Sequence, residues 1–148
     1  MARTYKQGLF KPKNPHKYKG NVNNIVYRSG WELSLMEFLD EHPEVVEWSS
    51  EEIIIPYRCP IRRDIHRYFP DFWAKFVDGR QVLIEVKPKA QTKPPKKPEQ
   101  KISRRYKQEA VTYVINEAKW QAARQYCDHK GWQFIIITED QIFRRQFV

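Results

Sequence analysis

Cysteine and glycine are scarce in this chain: two Cys and five Gly in 148 residues. Cys59 and Cys127 form no C-x-x-C pair and stand at no zinc-type spacing from His16, His42, His66 or His129. That pattern argues against a disulfide framework and against a structural zinc site. Free thiols, with no signal-peptide pattern at the start of the sequence, lead to the expectation of a reducing cytoplasm. No apolar run approaches the ~20 residues that cross a bilayer, so no membrane partner is expected. A Gly-rich phosphate loop is missing, which argues against a dinucleotide or P-loop fold and against a small-molecule cofactor. No Ser-His-Asp or Cys-His grouping has a recognisable local signature. Acidic residues are absent from the first 24 positions.

What is present is a sizeable apolar fraction under a strong positive charge. Hydrophobic residues make up 41% and aromatics 14%, enough for one packed core in one domain. The formal net charge is +9 and the pI about 9.6. Such a balance favours a polyanionic partner, nucleic acid before an anionic membrane surface.

Along the chain, residues 1–24 carry Arg3, Lys6, Lys11, Lys13, Lys17 and Lys19, interrupted by Pro12, Pro15 and Gly20. They read as a basic arm without regular structure, suited to clamping a DNA backbone. Residues 25–148 read as a single domain. Trp31, Leu35, Phe38 and Leu39 recur at helical spacing and predict a helix over 29–40, which Pro43 stops. Ser29 with Glu32 is a capping-box signature. A β-rich run follows from Val45 to Tyr57. Residues 65–77 and 81–87 predict two more strands joined at Asp78-Gly79. The three strands read as an antiparallel meander with one face covered by helices.

Residues 88–101 alternate Pro88, Pro94, Pro95 and Pro98 with Lys89, Lys93, Lys96, Lys97 and Lys101, a basic polyproline-leaning loop. Residues 102–115 are ambiguous, with hints of helix. Asn116 reads as the N-cap of a helix that ends at Gly131. Residues 132–138 predict a buried strand, and Thr138 with Gln141 a short last helix carrying Ile142 and Phe147. The fold class is therefore α/β, a mixed β-sheet with an αβββαβ core flanked by helices.

Two segments carry the chemistry. Phe69-Pro70-Asp71-Phe72 is followed about fourteen residues on by Ile84-Glu85-Val86-Lys87. In a strand, side chains alternate faces, so Glu85 and Lys87 share one face and Ile84 and Val86 the other. Asp71 likewise shares its face with Phe69 and Trp73, opposite Phe72, Ala74 and Phe76. If the two strands are neighbours, two carboxylates and one ammonium converge on one patch. Paired carboxylates suit a hard cation such as Mg²⁺, and a lysine beside them can activate water or stabilise an anion. The alternative is a turn at Pro70-Asp71 and a solvated edge strand at Glu85–Lys87. Glu32 has its own alternative, as a cap for the helix it starts.

In order and spacing, Glu32, Asp71 after a proline, and Glu85-Val86-Lys87 resemble the P-D-(D/E)-x-K nuclease superfamily. Trp31-Glu32, Pro43 to Trp48 and Ile55-Pro56-Tyr57 resemble its transposon-end endonuclease branch. Nearly the whole chain resembles the head-completion nucleases of T-even-type tailed phages. This resemblance implies a restriction-endonuclease-like fold and Mg²⁺-dependent hydrolysis of DNA, with Mn²⁺ as a substitute. It implies that Asp71, Glu85 and the Val86 carbonyl hold the metal. Glu32 would complete the shell directly or through water, and Lys87 would position the attacking water. It further implies phage capsid, portal or neck proteins as partners, and the host cytoplasm during assembly, or the virion, as location. No role for the 88–101 loop comes with it. A non-catalytic DNA- or portal-binding assembly protein and a junction or transposon-end endonuclease stand as alternatives.

Overall fold

The computed structural model describes residues 7–144. In chain order, β1 (Gly8–Leu9) is followed by a 3-10 turn (Pro15–Lys17) and β2 (Val26–Tyr27). Helix α1 (Gly30–Glu41) comes next, then β3 (Val45–Ser50), β4 (Ile55–Arg58), β5 (Ile65–Tyr68), β6 (Phe72–Phe76) and β7 (Gln81–Val86). A second 3-10 turn (Lys89–Thr92), α2 (Arg104–Lys130), β8 (Gln133–Ile137) and α3 (Glu139–Arg144) complete the order. Among the described residues no helix is long and apolar enough to cross a membrane.

The central sheet has four strands in the order β3-β6-β7-β8. Its first three strands are antiparallel and β8 joins β7 in parallel, so the sheet is mixed, as expected. The Asp78-Gly79 turn joins β6 to β7, with Gly79 at φ 93°. That positive φ is accessible to glycine at little steric cost.

Alternation along β6 and β7 divides the core between two faces. Phe72, Ala74, Phe76, Val82 and Ile84 pack with Leu35, Met36 and Leu39 of α1. Trp73 and Leu83 pack with Trp120, Ala123 and Cys127 of α2. Helices thus cover both faces of the sheet, not one: with α1 committed to one side, the apolar stripe of α2 takes the other.

Three further expectations are corrected. The single strand over 65–77 is two, because Pro70 cannot donate a ladder hydrogen bond and breaks the run. Its first half, β5, pairs with β4 in a separate two-stranded sheet beneath α2. The run from Val45 to Tyr57 is likewise interrupted at Glu51, whose φ is 55°. Asn116 does not start a helix: α2 runs unbroken for 27 residues from its cap at Ser103, whose Oγ accepts from the Tyr106 N–H, to Gly131 at φ 76°. No Pro or Gly lies between those ends to stop it.

The basic N-terminal segment, read as an arm without regular structure, carries β1 and the first 3-10 turn. Tyr18 is buried in the core against Trp48. Residues 1–6 lie outside the described residues, as does Phe147 of the last helix. Within that helix Ile142 is buried, and Gln141 accepts from Thr138 N–H at 2.8 Å.

Candidate active site

The register of the β6–β7 ladder sets the site. Phe72 lies opposite Ile84 and Trp73 opposite Leu83. One step beyond the end of that ladder, Asp71 falls beside Glu85. Asp71 Oδ2 accepts from the Val86 N–H at 2.8 Å, which ties the two chain segments together. Glu85 points to the α2 side with Leu83 and is only 6% exposed. Lys87 continues the same face, and its Nζ lies 3.7 Å from Glu85 Oε2. Its backbone N–H donates to Ile137 O on β8, so the lysine is held by the parallel strand pair. Asp71, Glu85 and Lys87 are therefore brought together.

Glu32 arrives from α1, on the opposite face of the sheet. Its N–H donates to Ser29 Oγ at 3.1 Å, and its own Oε1 accepts from Arg28 N–H at 3.2 Å. Ser29 satisfies a helix N-terminal donor that would otherwise be orphaned, and Glu32 reaches back past the cap to the amide before it. Glu32 thus serves the helix it starts while standing within electrostatic range of the acids. Burial raises its pKa, and the charges of Glu51 and Glu85 add to that rise; the Arg28 amide and the Arg28 charge oppose it. Arg28 is also ion-paired to Glu51.

The electrostatics of the pair are adverse. Desolvation pushes the Asp71 carboxyl well above the usual carboxylate range; the Glu85 and Glu32 charges push the same way. The Val86 amide and the Lys87 ammonium pull against them. A carboxyl whose ionisation is opposed by burial and by neighbouring charge is a recurrent mark of functional sites.

One residue of the site was not legible in sequence. Tyr68 is 4% exposed, and its hydroxyl donates to Glu85 Oε1 at 2.7 Å. Burial, then the Glu85 charge, raises the Tyr68 pKa strongly, so the phenol stays a donor. Glu85 is held from both ends, by Tyr68 at one oxygen and Lys87 at the other. Above the Tyr68 ring, 5.8 Å from its centroid, lies the Lys119 ammonium of α2. Counting one strand from 65 to 77 puts Tyr68 on the face opposite Asp71. Pro70 resets that count, and was the available signal.

The donor chemistry suits a hard divalent cation. Asp71, Glu85 and the Val86 peptide offer oxygen only, and the two acids lack a full counter-charge. Among the described residues, no three Asp, Glu, His or Cys side chains come close enough to form a ready-made cage. The carboxylates that meet are those of Asp71 and Glu85, and Glu32 stands behind them.

Comparison with known proteins identifies the family. Residues 42–139 match the family described as TnsA-like endonuclease N terminal. That span includes Asp71, Glu85, Lys87 and the strands that carry them. The chain is also 41% identical over 136 residues to the head completion nuclease of Enterobacteria phage T4, covering 90% of this chain and 91% of the relative. The mixed sheet, the paired acids with their lysine, and both matches place this chain in the TnsA-like N-terminal endonuclease family, as a nuclease.

Proposed function

We propose that the chain is a divalent-cation-dependent deoxyribonuclease that trims packaged DNA during phage head completion, before head and tail join. The phage context comes from the similarity to the T4 head completion nuclease. The observation that carries the chemistry is the Asp71–Glu85–Lys87 contact set at the ends of β6 and β7. Asp71, Glu85 and the Val86 carbonyl would hold Mg²⁺, or Mn²⁺ in its place. When bound, such an ion neutralises phosphate charge and makes water a stronger nucleophile near neutral pH.

The protein's own groups do the rest. Lys87 offers ammonium donors to the attacking water and to a phosphate oxygen, and the β7–β8 pairing fixes where it stands. Tyr68 holds Glu85 in one orientation. Glu32, whose carboxylate is engaged by the Arg28 amide, acts through a bridging water and not as a direct ligand. DNA is the substrate, and portal or neck proteins of the head are the partners at which the enzyme would meet its end.

Incubating circular and linear DNA with the purified protein and Mg²⁺ tests this. The wild type digests DNA and chelation stops it. Asp71→Ala and Lys87→Ala lower the rate by at least about 10³-fold, as loss of a metal ligand or a charge-stabilising group does. Tyr68→Phe lowers activity or metal affinity by about 10–100-fold, the usual effect of removing a group that orients a ligand. Full activity in Asp71→Ala would sink the proposal.

A further inference from the structure

The Pro/Lys-rich segment after Lys87 lies over the N-terminal half of α2 and encloses a cleft of about 310 Å³. That volume is at the small end of the ~300–1,000 Å³ range of ligand pockets. Gln91 and Lys93 line it from the segment; Arg105, Gln108, Tyr113 and Asn116 line it from α2. Asn116 is 7% exposed as a residue and lines the cleft. The sealed polar atoms left unpaired among the described residues are the Trp48 and Trp120 Nε1, so the Asn116 carboxamide reaches the cleft itself. There it can pair with what enters.

The cleft lies close to the catalytic carboxylates. Ala90, in its wall, is three residues past Lys87, a reach of at most ~11 Å of extended chain. On α2, Lys119 lies one turn from Asn116 on the same helix face. Its ammonium sits over the ring of Tyr68, whose hydroxyl is bonded to Glu85. The cleft is thus linked to the site on the α2 side of the sheet, the side to which Glu85 points.

We infer that this cleft receives one unpaired nucleotide of the DNA being cut. Carboxamides such as Asn116, Gln108 and Gln91 match the mixed donor and acceptor edge of a base. Tyr113 supplies an aromatic flank of the kind on which bases stack. At the rim, Arg105 is ion-paired to Glu109 at 3.4 Å. Lys93 pairs with no acid among the described residues and is available to a phosphate. A cleft of this size encloses one base and no duplex, so that base must leave its stack. The inference rests on the nuclease reading and adds a preference: cleavage next to single-stranded or frayed ends.

The test is made on the full chain in EDTA, where no cutting occurs. The base analogue 2-aminopurine is placed either in a short single-stranded tail or in the middle of a duplex, and its emission is followed as protein is added. The wild type should give a saturable change with the tail and little with the duplex. Asn116→Leu and Lys93→Ala should each weaken the tail response about tenfold. A thermal melt checks that Asn116→Leu is folded. Should it fail to fold, Gln108→Ala carries the same comparison with Lys93→Ala. Asp71→Ala should keep the tail response while cutting is lost in Mg²⁺. Cutting by Asp71→Ala tells against the nuclease reading; the tail response tells about the cleft alone. Equal responses from tail and duplex, no response at all, or a tail response that none of the cleft variants weakens overturns the inference.

Discussion

At Asp71 the fold holds a carboxyl where burial and neighbouring charge both oppose ionisation. The folded protein therefore binds this proton more tightly than the unfolded chain does. Asp71 favours folding below its unfolded pKa, and that contribution is lost as pH rises through the raised folded value. At neutral pH, without a divalent cation, the cost of burying this acid works against the fold. Asp71→Asn, which can still accept from the Val86 amide, should raise the melting temperature there, by an amount equivalent to about 0.5–2 kcal/mol. The gap should close in acid, where the carboxyl is protonated in both states. Thermal melts in EDTA across pH decide this, and a variant that melts lower at neutral pH contradicts it. The sequence showed Asp71, Glu85 and Lys87 because alternation within one continuous strand needs only counting. It did not show Tyr68, because parity does not survive a strand break, or Asn116, whose type suggests a cap wherever it stands.

Among the elements, α1 is set by contacts at both ends. Ser29 caps its start, as the sequence predicted, while Glu32 binds the Arg28 amide one residue earlier than a full capping box would have it. Its end is held by the N-terminal segment. Asp40, 1% exposed, accepts from the Lys13 and Asn14 N–H groups at 2.8 and 3.0 Å. Lys17 Nζ donates to the carbonyls of Asp40 and His42, which suits the negative end of a helix. Partial burial lowers the Lys17 pKa, an effect the Asp40 charge opposes. This clasp explains why a proline-interrupted basic segment is ordered at all. Asp40→Ala should cost about 1–3 kcal/mol for each amide left without an acceptor, read from urea unfolding; a variant as stable as wild type would show the clasp to be incidental. Sequence periodicity divides helix α2 because the residues from Ile102 to Ile115 make a weak apolar stripe. Most of that half is exposed beside the cleft, whereas Trp120, Ala123 and Cys127 of the second half are buried. Periodicity reports burial, so a helix segment facing a cleft gives little signal.

For the whole molecule, charge and fold act at different ranges. The +9 net charge serves association with a polyanion. The site needs contacts of a few ångströms, and composition says nothing about those. DNA affinity should fall at least about tenfold between 50 and 200 mM salt, with a linear log–log slope that counts the phosphates neutralised. Filter binding by Asp71→Ala in EDTA measures it, and an affinity indifferent to salt would remove electrostatics as the main source of binding. The α/β class and the mixed sheet were legible because strand runs and the Asp78-Gly79 turn are local. The second helical layer was not, since which face a helix covers is decided by the packing of the whole chain. One contact between distant segments has a consequence for synthesis. The backbone of Lys87 is clasped by Ile137, fifty positions later on β8. A nascent chain that has left the ribosome only as far as the Pro/Lys segment holds every acid of the site but lacks the strand that fixes its lysine. Prematurely terminated fragments would therefore be inert towards DNA, and hydrolysis would begin only once translation has passed that strand.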